Sequence, residues 1–169
     1  MEHSQKIKTS SAVVIIVLVL FLGYILLTKY HPVSNLKTNT QTDTNPSNQF
    51  MKVELERTPM VNNTLGAPAG FPQSIPLEQS NITESVTTNF PELKAKQLSL
   101  TYQSVKTVTQ KYAEYKNYLT TSGYQITEGS SNSPVRAIFG TKTEANLSVA
   151  ISSVKGQTIV QISYLLKSL

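Results

Sequence analysis

The residues that could act as acids, bases, nucleophiles or metal ligands are few in this sequence and widely separated. The 169 residues include no cysteine and two histidines, His3 and His31, both near the amino terminus. The single aspartate is Asp43. Beyond residue 70 the acidic residues are all glutamates, namely Glu78, Glu84, Glu92, Glu114, Glu128 and Glu144. This composition excludes thiol chemistry, disulfides, imidazole metal sites and Ser-His-Asp or Cys-His nucleophiles from the carboxy-terminal part of the chain.

The glutamates give no sign of a catalytic pair. A glycosidase needs two carboxylates held across one bond, and the sequence spacing pairs no two of these residues. The chain does not combine an S-x-x-K element with the partner motifs of such hydrolases, and it has no glycine-rich phosphate loop. We therefore predict that the protein is not an enzyme, that it uses no cofactor, and that it has no catalytic, cofactor-binding or metal-ligating residues.

The positive charge is distributed along the chain. The formal net charge is +5, whereas nucleic-acid binding requires basic residues clustered into one footprint. The lysines of the carboxy-terminal part are Lys94, Lys96, Lys106, Lys111, Lys116, Lys142, Lys155 and Lys167. We predict no nucleic-acid partner.

The apolar run at residues 12–27 predicts a transmembrane helix over residues 11–28, preceded by a cytoplasmic stub at residues 1–10. The run contains no charged residue, and thirteen of its side chains are Val, Ile, Leu or Phe. Each contributes roughly −0.3 to −0.6 kcal/mol to insertion, so together they supply about −4 to −8 kcal/mol. Eighteen residues of helix just span the hydrocarbon core. The lipid bilayer is therefore a predicted partner.

A cleaved signal peptide is the alternative interpretation of this run. Its apolar part exceeds the usual length, and no small-x-small cleavage pattern follows it. We favour an uncleaved, single-pass signal anchor. The difference in positive charge between the two flanks is slight, but a short amino-terminal stub favours a cytoplasmic amino terminus with the carboxy-terminal domain outside the cell membrane.

We predict that residues 29–70 form a flexible tether and that residues 71–169 form a folded domain. Residues 35–48 are mostly Asn, Thr, Gln, Ser and Lys, which cannot offset the entropy of ordering. Residues 50–56 are more apolar and could form a short helix or strand. Residues 71–77 contain two prolines and suit an extended edge segment.

The sequence of this domain predicts an α+β fold, in which one amphipathic helix packs on a mainly antiparallel sheet. The predicted order of elements is β-β-α-β-β-β-β. Residues 82–88 and 92–102 predict the first two strands, and residues 104–122 the helix. Ser104 is the predicted N-cap and Gly123 the C-cap, while Lys106, Gln110 and Lys111 are placed mostly on the solvent side. Alternation then predicts strands at 124–126, 135–139, 147–152 and 158–165, with a hairpin turn at residues 155–156.

The apolar stripe of the predicted helix comprises Val105, Val108, Tyr112, Tyr115 and Leu119. Tyr102 and Tyr164 lie on inward strand positions, so core packing explains these tyrosines better than an exposed binding platform. Tyr118, at the margin of the stripe, is the tyrosine that we expect to contact an outside partner.

The segments FPQSIPL and YKNYLTTSGYQI carry a resemblance to small uncharacterised bacterial membrane-anchored envelope domains. Those domains have one amino-terminal membrane helix and a helix ending in Tyr-Lys-x-x-Leu-x-x-x-Gly-Trp/Tyr. The matching residues here are Tyr115, Lys116, Leu119, Gly123 and Tyr124. The similarity spans residues 71–166 and implies a fold and a compartment, without implying any catalytic residue.

These observations favour a membrane-anchored, non-catalytic extracytoplasmic module that binds a protein or cell-wall partner in the cell envelope, or has a structural role there. The alternative is a pilin-like or secretion-apparatus subunit, which also combines an apolar amino-terminal helix with an α+β head. A pilin processing site requires a glutamate inside the apolar run, and the acidic residue before position 28 is Glu2. We therefore rank the pilin-like interpretation second.

Overall fold

The computed structural model describes residues 52–167. The predicted stub, the predicted transmembrane helix and residues 29–51 of the predicted tether lie outside the described residues. Within residues 52–167, the helices are too short or too polar to cross a membrane.

The described chain forms one α-helix and nine β-strands, with two single-turn 3₁₀ helices at Gln79–Asn81 and Pro91–Leu93. The elements in chain order are β1 (Glu54–Arg57), β2 (Met60–Val61), β3 (Thr64–Leu65), β4 (Ile82–Phe90), β5 (Ala95–Ser104), α1 (Val108–Thr121), β6 (Gln125–Glu128), β7 (Val135–Thr141), β8 (Ala145–Val154) and β9 (Gln157–Lys167).

Seven strands form a single sheet in the order β1-β4-β5-β9-β8-β7-β6, and every neighbouring pair is antiparallel. Strands β2 and β3 form a separate hairpin. The turn between β8 and β9 consists of Lys155 and Gly156, with φ angles of 51° and 81°, as a two-residue hairpin turn requires. The predicted α+β class, the antiparallel pairing and the carboxy-terminal meander are therefore confirmed.

One face of the sheet forms the hydrophobic core. Because side chains alternate along a strand, every second residue of the central strands points to this face. These residues are Leu98, Leu100, Tyr102, Leu147, Val149, Ile151, Val160 and Ile162, and all are buried. Helix α1 covers them with Tyr112, Tyr115 and Leu119, as its predicted stripe indicates.

The N-cap of the helix lies three residues later than predicted. Thr107 is the N-cap, and it forms a capping box with Gln110. Ser104 instead ends β5, opposite Thr158 on β9. Val105, predicted to lie on the apolar stripe, precedes the helix and is 89% exposed. Pairing of β5 with β9 thus overrides the helical spacing at this junction.

The sheet also begins upstream of residue 71, where the sequence placed the start of the folded domain. Strand β1 pairs with β4 over four residues, from Glu54 opposite Asn89 to Arg57 opposite Val86. Residues 50–56 could form a short helix or a short strand, and the strand is confirmed for residues 54–56.

Residues 71–77 are irregular, not a strand of the sheet. Phe71 and Ile75 nevertheless enter the core from this segment. The two prolines remove backbone donors that a sheet strand would need, so the segment contributes side chains without adding a strand.

Replacement of Gly140 by alanine is expected to destabilise the domain. A Cβ atom at this position of β7 would overlap Leu119 Cδ2 and lie 2.9 Å from Tyr124 Cδ1. We expect a loss of about 1–3 kcal/mol in the free energy of unfolding, measured by urea denaturation. Gly66→Ala is the control, since a Cβ there meets nothing within 4 Å. Equal stability of the two variants would contradict this packing.

Candidate functional site

A group of charged and polar side chains surrounds Lys111 on α1. The Lys111 side chain is only 1% exposed. Its Nζ lies 3.1 Å from Glu114 Oε2 and 3.5 Å from Glu78 Oε1. The same atom lies 5.2 Å and 5.0 Å from the ring centroids of Tyr102 and Tyr115. We call these five residues the Lys111 cluster.

Three parts of the chain build the Lys111 cluster. Lys111 and Glu114 are three residues apart on α1, so they lie on the same side of the helix. Glu78 precedes β4 and is fixed at the junction of β5 and α1. Its Oε1 accepts a hydrogen bond of 2.6 Å from the Ser104 hydroxyl, and its Oε2 accepts one of 3.1 Å from the Val105 N–H.

The two tyrosine hydroxyls continue this network into the core. Tyr115 donates its hydroxyl proton to the carbonyl oxygen of Pro76. The Tyr102 and Tyr115 oxygens are 2.8 Å apart, so Tyr102 is the donor in the bond between them. Burial raises the pKa of Tyr115 well above its usual range, with the neighbouring Tyr102 adding to the effect. Both hydroxyls therefore stay protonated at neutral pH.

The charges in the Lys111 cluster are held in their ionised forms. Burial alone would lower the pKa of Lys111, but its bonds to Tyr102 and Glu114 outweigh burial, and the pKa is raised. Burial alone would raise the pKa of Glu78 and Glu114, but hydrogen bonds and the lysine charge lower both values. A reactive lysine needs a lowered pKa. The cluster is therefore suited to holding the fold together.

The sequence patterns do not predict the Lys111 cluster. The prediction that Lys111 lies on the solvent side of the helix is wrong, because its side chain is buried and its ammonium group contacts Glu78 and Glu114. The sequence spacing predicts no pairing among the glutamates, whereas Glu78 and Glu114 both contact the Lys111 ammonium group. The spacing of Lys111 and Glu114 was a readable signal, but nothing in the spacing pointed to Glu78.

A second, more exposed group joins α1 to the sheet edge at β6. Tyr112 donates a hydrogen bond to Glu128 Oε2, and Lys116 Nζ lies 2.7 Å from Glu128 Oε1. The guanidinium carbon of Arg136 lies 4.1 Å from the Tyr112 ring centroid. The hydrogen bond from Lys116 is the main cause that lowers the pKa of Glu128, and the hydrogen bond from Tyr112 lowers it further. This carboxylate is thus kept charged and cannot act as an acid near neutral pH.

The tyrosines largely occupy the predicted positions. Tyr102, Tyr112 and Tyr115 are buried, which confirms their core placement. Tyr164 is only partly buried and packs edge-on against Phe71, with ring centroids 6.4 Å apart.

Tyr118 is partly exposed, as its position at the margin of the stripe predicted. Its hydroxyl lies 3.1 Å from Ser74 Oγ, and its ring centroid lies 6.4 Å from that of Tyr124. Burial raises the pKa of Tyr124 to about 12. Contact of Tyr118 with an outside partner stays a prediction.

Exposed apolar side chains concentrate in a short stretch at the β1 side of the sheet. Val53 and Leu55 are 49% and 59% exposed, and Met60 and Val61 in the adjoining hairpin are 69% and 67% exposed. We call these four residues the apolar edge. Such concentrations mark interaction surfaces more often than isolated exposed residues do.

Residues 52–167 contain no group of three or more His, Cys, Asp or Glu side chains placed to hold a metal ion. Comparison with protein-family models, with curated proteins and with solved structures finds no match to this chain. The site must therefore be interpreted from its own geometry.

Replacement of Lys111 by methionine is expected to lower the free energy of unfolding by roughly 2 kcal/mol. The change leaves Glu78 and Glu114 without their shared cation, and removal of one partner from a buried ion pair is strongly destabilising. Both carboxylates are partly exposed, which reduces the loss. Lys106→Met is the matched control, because Lys106 pairs with Glu114 from the solvent side and exposed pairs contribute little. Denaturant unfolding of both variants tests this.

The stability of the domain is expected to fall in acid. The folded-state pKa values of Glu78 and Glu114 lie below the ordinary value of 4.5, so the unfolded chain binds protons first. Their contribution is complete above about pH 4.5 and is lost as the pH falls through the lowered values. The melting temperature should therefore drop below pH 4.5, and the drop should be smaller in Lys111→Met. An identical acid profile in both proteins would contradict the lysine's role.

Proposed function

We propose that the protein is a membrane-anchored, non-catalytic module of the cell envelope, whose folded domain lies outside the cell membrane and acts by binding a protein or cell-wall partner. The observation that supports this proposal most is the ionised state of Lys111. A buried lysine is the group in the described domain best placed for covalent or base chemistry. It is instead held as an ammonium ion between two carboxylates.

The other ionisable groups support the same function. Glu128 is held charged by Lys116 and Tyr112, and the buried tyrosine hydroxyls bond to each other and to the backbone. General acid–base catalysis needs a group whose pKa lies near the working pH. The shifts described for Lys111, Glu78, Glu114 and Glu128 move their pKa values away from neutrality.

The anchor is supported by the sequence upstream of the sheet. Residues 11–28, which contain the apolar run, have the length and composition of a membrane span. Residues 29–51 connect it to the first described residue. The flexible tether that the sequence predicts for these 23 residues has a root-mean-square reach of about 25–30 Å. That reach places the domain within contact distance of partners close to the membrane surface.

The apolar edge is the surface that we assign to binding. Leu55 lies on β1, the first strand after the proposed tether, Val53 directly precedes that strand, and Met60 and Val61 form β2. The apolar edge thus presents four large apolar side chains in nine residues. A partner that covers it would remove apolar area from water, which is the main favourable term in most protein associations.

Protease added to intact cells or spheroplasts is expected to remove the domain and leave a membrane-bound amino-terminal fragment. The uncleaved apolar run fixes the chain in the bilayer with the domain outside. Immunoblotting with tags at each end distinguishes the fragments, and a cytoplasmic protein is the control for cell integrity. Full protection of the domain would contradict the orientation, and recovery of full-length protein in a detergent-free supernatant would contradict the anchor.

A further inference from the structure

We infer that Tyr118, Tyr124 and Tyr164, together with a polar hollow beside them, form a binding site for a neutral carbohydrate chain. The inference goes beyond the proposed function, because it assigns a surface other than the apolar edge and gives its ligand a chemical class. It rests on the proposed function only for the compartment, since a domain outside the cell membrane meets the carbohydrates of the cell wall.

The three tyrosines are all partly exposed, and they come together from three parts of the chain. Tyr118 is on α1, Tyr124 follows the end of α1, and Tyr164 is on β9. The ring centroids of Tyr118 and Tyr124 lie 6.4 Å apart, with the rings tilted by 41°. Burial raises the pKa of both Tyr124 and Tyr164, and the nearby Tyr118 and Glu144 raise both values further. Because such effects fall off with distance, these four groups face one region of the surface.

This region offers hydrogen-bonding groups that the fold does not use. The Tyr118 hydroxyl lies 3.1 Å from Ser74 Oγ. Among the described residues, the hydroxyls of Tyr124 and Tyr164 have no hydrogen-bond partner, and the exposed carboxylate of Glu144 forms no ion pair. Each tyrosine hydroxyl can donate one hydrogen bond and accept others. The site therefore presents both donors and acceptors next to aromatic rings.

A hollow of about 350 Å³ adjoins these tyrosines where β6 begins and β7 ends. We call it the polar hollow, and its lining residues are Gly123, Gln125, Thr141, Lys142, Thr143 and Glu144. Lys142 joins it to the tyrosines, because the Lys142 Nζ lies 4.5 Å from the centroid of the Tyr124 ring. This volume lies at the lower end of the range for small-molecule sites, which suits a short stretch of a longer chain.

The charges at the polar hollow favour a neutral ligand. Lys142 is positive, and Lys167 Nζ donates a hydrogen bond of 3.0 Å to the Lys142 carbonyl oxygen. Glu144 is negative, and the carboxy-terminal end of α1, which carries a partial negative charge, ends beside Gly123. A cation and an anion would each meet a repulsive neighbour here. A neutral ligand with many hydroxyl groups meets none.

A carbohydrate matches both parts of the site. The face of a tyrosine ring carries partial negative charge and therefore attracts the C–H groups of a sugar ring. The sugar hydroxyls can bond to the Gln125 amide and to the hydroxyls of Thr141 and Thr143 in the polar hollow. A purely apolar ligand would cover these polar groups without bonding to them, which costs free energy.

Isothermal titration calorimetry of the full-length protein in phosphatidylcholine nanodiscs tests the inference. The probes are tri-N-acetylchitotriose and cellotriose, two neutral sugar chains with and without acetamido groups, and empty nanodiscs are the control. We expect saturable binding of at least one of them, with a Kd of about 1 mM or tighter. Absence of binding by both would overturn the inference. Equally strong binding of tetra-alanine, a neutral peptide, would indicate a peptide site and would also overturn it.

Two variants place the binding at this site. Tyr118→Ala removes one ring, and Thr143→Met fills the polar hollow from an exposed position. Each is expected to weaken sugar binding roughly fivefold, the loss of about one good contact. Thr127→Met is the matched control, since Thr127 is exposed on β6 and does not line the polar hollow. We expect its affinity to equal that of the natural protein.

Thr143→Met keeps the test decisive even where Tyr118→Ala fails to fold, because Thr143 is exposed and its replacement leaves the core unchanged. Unchanged affinity in Thr143→Met, or an equal loss in Thr127→Met, would overturn the assignment of the site. Failure of sugar binding alongside removal of the domain by external protease would leave the proposed function intact. Sugar binding by a domain that is fully protected in cells would instead contradict the proposed function alone.

Discussion

A single buried cation determines how the helix is attached to the rest of the domain. The ammonium group of Lys111 can leave water only because two carboxylates and two tyrosine rings replace its hydration. The carboxylate of Glu78 belongs to the segment before β4, so the lysine fixes that segment, strand β5 and helix α1 against one another. The hydrophobic face of the sheet supplies most of the burial, but this ion cluster specifies the position of the covering helix over it.

The fold was predictable where local pattern and tertiary structure agree. The middle parts of strands β8 and β9 mostly alternate between apolar and polar residues, and the structure buries the apolar set on one face. The helix stripe of Tyr112, Tyr115 and Leu119 behaves in the same way. Strand β1 is different, because all four of its residues are exposed. It is held by backbone pairing with β4, and periodicity carries only a weak signal for such a strand.

The candidate site was less predictable, for a different physical reason. Sequence patterns assign lysine to the solvent, and Lys111 contradicts the pattern because its partner Glu78 lies 33 residues earlier in the chain. An ion pair between residues far apart in the chain produces no periodic pattern in the sequence. The tyrosines were easier to place, since a large ring on an apolar stripe or an inward strand position has few alternatives to the core.

The order of strands in the sheet also bears on how the chain reaches its folded state. Strand β9 is the last described strand, and it lies in the middle of the sheet between β5 and β8. The β4–β5 hairpin and the β6–β8 meander have no direct contact through the sheet until β9 is inserted between them. Completion of the domain therefore waits for synthesis through Lys167. A nascent chain of this topology therefore keeps the β4–β5 hairpin and the β6–β8 meander apart until the strand that joins them has been synthesised.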